Sequence, residues 1–486
     1  MRILACLNVG WHSLDVVRGL HESGLTIAAI VTSRESLDRA RQLFSDSPSL
    51  HLIERELVRE ASSGALGRPP VGADLTNGSL LLPALAILDR TNWNGANLAD
   101  LLRLYTRYLE WARALLASSQ PDGCWFDGAP HQAQDWALYQ VCQEEGVRTF
   151  ITSYTVFDHS KVLFLEADGA PIPIAQLCGE AVIKGASESE YLSRVVPRLV
   201  DVSALDRRRG AQEILDGGFR RACRVARDSV RRVPEQYPSM IPAWPRWRLQ
   251  RSLLRIRDRL RIANTARWLL KLPATIPSDP RPIAFFPLHF QPEASSVPYG
   301  APHFDQVSAI RALAAEVADR AVVLVKEHPQ MLTWNAQWSR ARSASFYQDL
   351  ANIPGVTLLS PAAASDELVR RSAIVATLTG TAGYEARIHG ATTICFGAPW
   401  YQPLRGVYRA RDRDALRHGV DRGLTRSDPP LSRAEIQHFV DTYTIRGFGR
   451  AVPPREQEAL PAEAFSLGLS TIILHILQGT PRTPVQ

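Results

Sequence analysis

Four stretches of this chain gather side chains able to hold an anion or move a proton. Lys326-Glu327-His328-Pro329 sets an ammonium and an imidazole two residues apart, with a proline fixing the backbone beside them. Leu378-Thr379-Gly380-Thr381-Ala382-Gly383-Tyr384-Glu385 reads as a strand end, a hydroxyl and glycine turn, and a helix start. There Gly380 and Gly383 permit a tight turn, the first helix amides offer free donors to an anion, and Thr379 and Thr381 add hydroxyls. No Gly-Lys-Ser/Thr follows, so this is not an adenylate P-loop, and the three-glycine dinucleotide fingerprint is absent. Glu385, one turn on, either accepts from ribose hydroxyls or complements the helix dipole. Pro287-Leu-His289-Phe-Gln291-Pro-Glu293-Ala-Ser295-Ser296 packs an imidazole, an amide, a carboxylate and two hydroxyls into one loop, as ligand contact or as helix capping. Phe126-Asp127-Gly128-Ala-Pro130-His131 supplies Asp127 and His131, either as candidates for acid, base or nucleophile, or as a helix cap at Asp127 or Asp135 beside a packed imidazole.

Each stretch follows a short apolar run and precedes a helical pattern. Strands are expected at Ile3–Asn8, Thr26–Thr32, Cys124–Phe126 and Arg148–Thr152, with helices near Trp11–Ser23, Leu98–Ser118 and Asp135–Glu145. The alternation is clearest later. Strands Ile283–Phe286, Ala321–Val325, Val356–Leu359, Ile374–Leu378 and Thr392–Phe396 interleave with helices at Phe304–Val317, Ser365–Arg371 and from Ala382. Near-continuous apolar strands alternating with helices imply a parallel, doubly wound sheet whose ligands sit at the carboxyl ends of the strands. An α/β lobe is placed at 1–175, an Arg-rich helical connector at 176–277, a second α/β lobe at 278–455, and a helix and tail at 456–486.

At 486 residues, 45% hydrophobic and 22% charged, the chain can bury more than one core and is neither disordered nor fibrous. No run approaches the roughly 18 apolar residues of a spanning helix, and the start, with little charge or apolar length before Cys6, reads as a strand rather than a leader. The six cysteines form no Cys-x-x-Cys pair, which removes zinc modules and disulfide scaffolds and suits a reducing cytoplasm. Asp412-Arg413-Asp414 reads as solvated surface, so neither metal nor cofactor is expected. The net charge of +7 favours anionic partners such as nucleotides, acidic glycans or phospholipid heads. Trp244, Trp247 and Trp268 among the arginines of the connector are either a solvated helical face or a docking surface for an anionic membrane.

Across residues 283–401 the chain resembles the capsule polysaccharide synthesis family, which includes bacterial β-Kdo transferases. The resemblance rests on Phe285-Phe286-Pro-Leu-His289-Phe-Gln291-Pro-Glu293-Ala-Ser295, on Lys326-Glu-His-Pro329, on Thr379-Gly-Thr-Ala-Gly-Tyr-Glu385-Ala, and on Phe396-Gly-Ala-Pro-Trp400-Tyr401. It implies a GT-B architecture: two Rossmann-like lobes facing a central cleft, with the donor nucleotide held by the C-terminal lobe and the acceptor by the N-terminal one. It implies donor contacts at His289, Gln291, Glu293, Lys326, His328, Thr379, Gly380, Thr381, Gly383 and Glu385. Lys-x-His-Pro is also similar to the His-Pro motif of transferases using CMP-activated sugars, so Lys326 and His328 would stabilise departing CMP without a metal. The implied partners are a CMP-linked donor, with Kdo or a related ulosonic acid as the sugar, and a capsule or lipopolysaccharide glycan acceptor at the cytoplasmic face of the inner membrane; no nucleic acid is expected. Asp127, His131 and His328 stand as catalytic candidates, with retention and inversion both open. Two rival readings keep the fold: phosphotransfer from a CDP-polyol, and a polysaccharide-binding relative without turnover.

Overall fold

The computed structural model describes residues 1–7, 12–46, 50–54, 78–91, 97–154, 161–165, 169–174, 264–291, 296–332, 342, 344–446 and 472–474. Two sheets organise them. The first contains β1 (Arg2–Cys6), β2 (Thr26–Thr32), β3 (His51–Glu54), β4 (Gly123–Phe126), β5 (Arg148–Tyr154) and β6 (Lys161–Leu165), with helices α1 (His12–Glu22), α2 (Arg34–Leu43), α3 (Gly78–Thr91), α4 (Leu98–Ser119) and α5 (Ala133–Glu144). The second contains β7 (Ile283–Pro287), β8 (Val322–Lys326), β9 (Val356–Leu359), β10 (Ile374–Thr377), β11 (Thr392–Cys395) and β12 (Val407–Arg409). Its helices are α6 (Val307–Val317), α7 (Ala344–Ala351), α8 (Ser365–Arg371), α9 (Thr381–Ile388), α10 (Arg413–Leu424) and α11 (Arg433–Tyr443).

The strand orders are the same in both sheets. From one edge the first runs β3-β2-β1-β4-β5-β6 and the second β9-β8-β7-β10-β11-β12, each reversing direction of travel beside its first strand. Every pairing in the second sheet is parallel, as are β1 with β2, β1 with β4, β2 with β3 and β4 with β5 in the first. This pair of Rossmann-like lobes is the architecture that the GT-B resemblance implies.

The apolar runs explain why both faces need cover. Successive side chains of a strand point to opposite faces. Phe286, Val323, Val325, Ile374 and Ala376 accordingly join a core with α6, α7 and α10, while Phe285, Val322, Leu324 and Val375 join a second core with α8 and α9. In the first sheet Leu4, Cys6, Cys124 and Phe126 pack under α3, α4 and α5, and Ile3, Ala5, Leu7 and Trp125 pack under α1 and α2. Fully burying each Val, Leu, Ile or Phe side chain among them stabilises the lobe by about 1.5–3 kcal/mol. Helix α4 is amphipathic for the same reason: Tyr105, Tyr108, Leu109, Ala112, Leu115 and Leu116 form its buried stripe, and the Asn97 side chain caps its start by accepting from the Asp100 amide.

Two features join the lobes. A last strand, β13 (Thr444–Arg446), pairs antiparallel with β6, so the expected second lobe, 278–455, contributes a strand to the first sheet. The loop between β7 and α6 also reaches across. Val297 lies within the core of the first lobe, and Tyr299 fills the space above Gly169, where an added Cβ would stand 2.6 Å from its ring.

Helix α6 starts at Val307 rather than at the expected Phe304, because Gln306 takes a left-handed φ of 63° and is fully buried. Its side chain is engaged elsewhere, as described below. Asp412 caps α10 by accepting from the Ala415 amide, a concrete role for the triplet read as surface. Cys6, Cys124, Cys142 and Cys395 are buried thiols, and burial pushes the Cys395 thiol up to about 12. Trp244 and Trp247, Cys178 and Cys223, and the arginines around them lie outside the described residues; Trp268 is described and exposed. Among the described residues no helix is long and apolar enough to cross a membrane.

Candidate functional site

In an open α/β sheet the crevice forms where the strand order reverses, here between β1 and β4 in one lobe and between β7 and β10 in the other. Candidate residues sit at both places.

At the first, Asp127 directly follows β4. Its backbone amide donates to the carbonyl of Cys6 at the end of β1 at 3.2 Å, and its carboxylate accepts the hydroxyl proton of Ser13, from the first turn of α1, at 2.6 Å. The carboxylate thus spans the reversal point, held from the opposite side. Sequence reading missed Ser13; a hydroxyl directly before the apolar stripe of α1 was its only signal. His131 is half-buried, with Nδ1 2.8 Å from the carbonyl oxygen of Ala129. That bond places the proton on Nδ1 and leaves Nε2 as the basic nitrogen.

At the second reversal point the loops after β7, β8 and β10 come off three neighbouring strands. His289, after β7, is buried, and its Nε2 accepts the Thr379 amide, after β10, at 3.1 Å. Burial, then the charges of His328 and Arg342, lower its pKa from 6.5 to about 3. His289 is therefore a neutral strut across the crevice, holding the Thr379 turn in place. Gln291 is buried in the same framework: its side chain donates to the carbonyl of Phe304 and accepts from Gln306 at 2.8 Å and from Arg342 at 2.6 Å. Gln306 completes the loop by accepting the His289 amide at 2.7 Å. Glu293 lies outside the described residues.

The His289 strut yields a pH prediction. Between about pH 6.5 and 3 the unfolded chain binds a proton that the folded chain refuses, so stability falls as pH falls, by about 1.4 kcal/mol per pH unit within that window. Urea unfolding at several pH values, compared with His289→Asn, reads this directly. The variant is expected to show the shallower slope; equal slopes would remove the buried neutral imidazole.

Lys326 closes β8, is buried, and donates through Nζ to the hydroxyl of Ser365 at the start of α8. His328 is half-buried, its ring 5.5 Å from that of Phe290. Between them the fully buried Glu327 accepts from the His328 amide at 2.6 Å, the Tyr347 hydroxyl at 2.7 Å and the Arg342 Nε at 2.7 Å. Burial, and next the Glu327 charge, push the Tyr347 hydroxyl well above its ordinary pKa. Arg342 escaped sequence reading because it lies far from any candidate loop.

Gly380 precedes α9 with an ordinary φ of −69°, and the reason for glycine is proximity: a Cβ would lie 2.8 Å from the Thr377 hydroxyl and 3.1 Å from His289 Nε2. Gly383 serves packing rather than the turn, since a Cβ there would meet the Tyr401 hydroxyl and, at 2.7 Å, a methyl of Thr393. Thr379 is buried, Thr381 is exposed at the first position of α9, and Glu385 is half-buried one turn later. What this crevice offers is a helix start and an exposed hydroxyl after β10, and a loop carrying Lys326 and His328 after β8, on the two strands that flank β7, an arrangement suited to an anion.

Residues 279–448 match the family of capsule polysaccharide biosynthesis proteins. The capsule-family segment contains all four motifs of the resemblance and the whole of the second sheet, and ends with β13. None of the curated proteins matches the chain. Solved structures similar to it include the β-Kdo 2,7 transferase of KpsC from Thermosulfurimonas dismutans, at 9% identity over 97% of this chain and 99% of that one, with a TM-score of 0.31. The β-Kdo 2,4 transferase of the same protein matches at 11% identity over 66% and 81%, TM-score 0.26. UDP-GlcNAc 2-epimerase from Methanocaldococcus jannaschii matches at 10% over 98% and 100%, TM-score 0.25. Likenesses at this level say nothing of a substrate for this chain.

Proposed function

We propose that the protein is a glycosyltransferase that moves a sugar from a nucleotide-activated donor to a capsule or lipopolysaccharide glycan. The observation that carries this reading is the meeting of the Lys326–His328 loop, the Thr379–Thr381 turn and the His289 strut on the adjacent strand ends of β8, β10 and β7. Strand ends at a reversal point hold phosphates in such sheets, and a helix start beside two basic side chains stabilises negative charge as it develops. The capsule-family match and the resemblance of Lys326-Glu-His-Pro329 to the His-Pro motif support a CMP-linked ulosonic acid, Kdo or a relative, as donor. Charge neutralisation falls to Lys326, His328 and the α9 amides.

In the transfer step an acceptor hydroxyl oxygen bonds to the anomeric carbon while the bond from that carbon to the phosphate oxygen breaks. The electron pair leaves on the phosphate, where Lys326, His328 and the start of α9 stabilise it. The hydroxyl proton passes to Asp127 or to His131 Nε2. In this scheme the N-terminal lobe binds the acceptor and the C-terminal lobe the donor.

A thermal-shift screen with CMP, UDP, GDP and CDP tests the donor assignment, since a ligand that binds only the folded chain raises its apparent stability. CMP is expected to stabilise the chain selectively; no shift with any of the four would overturn the reading. Product analysis then separates sugar transfer from CDP-polyol phosphotransfer, because only the latter leaves a phosphodiester in the polymer.

A further inference from the structure

We propose that Arg342 is a positioning residue of the anion site: by pairing with Glu327 it keeps a negative charge off the Lys326–His328 loop and ties that loop to the one after β7. The inference rests on the donor-site reading above. Its starting point is a conflict in the sequence, where a carboxylate stands between the two side chains meant to attract an anion. Left unpaired between them, Glu327 would oppose the attraction of Lys326 or His328 for a phosphate.

The structure resolves the conflict with one guanidinium. Arg342 and Glu327 form an ion pair at 2.7 Å with side chains only 4% and 1% exposed. The remaining donors of Arg342 face the neighbouring loop: Nη1 donates to the Gln291 side chain at 2.6 Å and Nη2 to the His289 carbonyl at 2.8 Å. Its plane lies 4.4 Å from the centre of the Phe346 ring, which fixes the fork in one orientation. Tyr347 and the His328 amide complete the shell of Glu327. An apolar pair of similar volume generally holds a core as well as a buried ion pair does. The pair makes sense here as a device that neutralises Glu327 while using its carboxylate to hold the His328 backbone.

Calorimetric titration with CMP, and with cytidine as the uncharged control, tests this on the full chain, Arg342→Met, and Arg342→Met combined with Glu327→Gln. Arg342→Met is expected to weaken CMP binding by about 30- to 100-fold, the effect of one unpaired charge near a phosphate at intermediate dielectric, with cytidine changed by less than about threefold. Adding Glu327→Gln removes the stranded charge and is expected to restore CMP affinity to within about fivefold; the double variant also guards against a single variant that fails to fold. Equal CMP affinity in Arg342→Met and the parent, or a folded double variant without recovery, would overturn the proposal. A parent chain that binds none of the four nucleotides would instead bring down the donor-site reading, and this inference with it.

Discussion

His328→Ala lowers kcat by about 10²- to 10³-fold, the usual consequence of deleting one group that stabilises a developing negative charge. The folded state survives the change. The loop is held through Glu327, whose carboxylate accepts the backbone amide of residue 328, and that bond does not depend on the imidazole. His328 itself is only half-buried, and truncation should change the unfolding free energy by less than about 1 kcal/mol. Steady-state kinetics with a CMP-linked donor, beside a denaturant melt of the same sample, gives both numbers. An unaltered kcat would remove the leaving-group role; lost activity together with a collapsed melt would mark His328 as structural.

Asp127→Asn gives a comparable loss with a different signature. If Asp127 takes the proton of the acceptor hydroxyl, replacing its carboxylate by an amide lowers kcat by about 10²- to 10⁴-fold, whereas CMP binding, assigned to the other lobe, stays within about twofold. The geometry is preserved in this variant, since an amide oxygen still accepts from Ser13 and the backbone bond to Cys6 is untouched. The parallel variant His131→Ala decides which side chain is the base. A larger loss there would transfer the role to His131, and near-normal turnover in both would place the base elsewhere.

Much of the architecture was legible because it is written locally. Continuous apolar runs such as Ile283–Pro287 and Val322–Lys326 have no polar face and are too short and β-branched or aromatic for a buried helix, so they read as strands covered on both sides, and the intervening amphipathic segments supply the cover. The expected strand Thr26–Thr32 and helix Ser365–Arg371 match the observed bounds for this reason. Elements with weaker patterns escaped. Strand β12 has only three half-buried residues, β13 takes its strand character from pairing with β6, and α3 carries Pro83 within its helical run.

The candidate site divides along the same line. Residue types and their place after strands marked Asp127, Lys326, His328 and the Thr379–Thr381 turn, because a strand end followed by polar residues and a helix start is a local pattern. What each side chain does there is non-local. His289 bonds an amide 90 residues away, Asp127 meets a serine 114 residues earlier, and Arg342 reaches back 51 and 53 residues to Gln291 and His289. His289, Gln291 and Gly383, read from the sequence as ligand contacts, also bond or pack within their own framework, which no local pattern shows.

The sequence by itself determined two alternating strand–helix lobes and the loops that bear their polar residues, since periodicity and turn chemistry act over a few residues. Only the tertiary structure decided which strands lie side by side, and therefore which loops share a crevice, which glycines are fixed by a neighbour, and which arginine neutralises Glu327. Strand order and packing are set by the burial of whole faces against partners far along the chain, and no short window of residues contains that information.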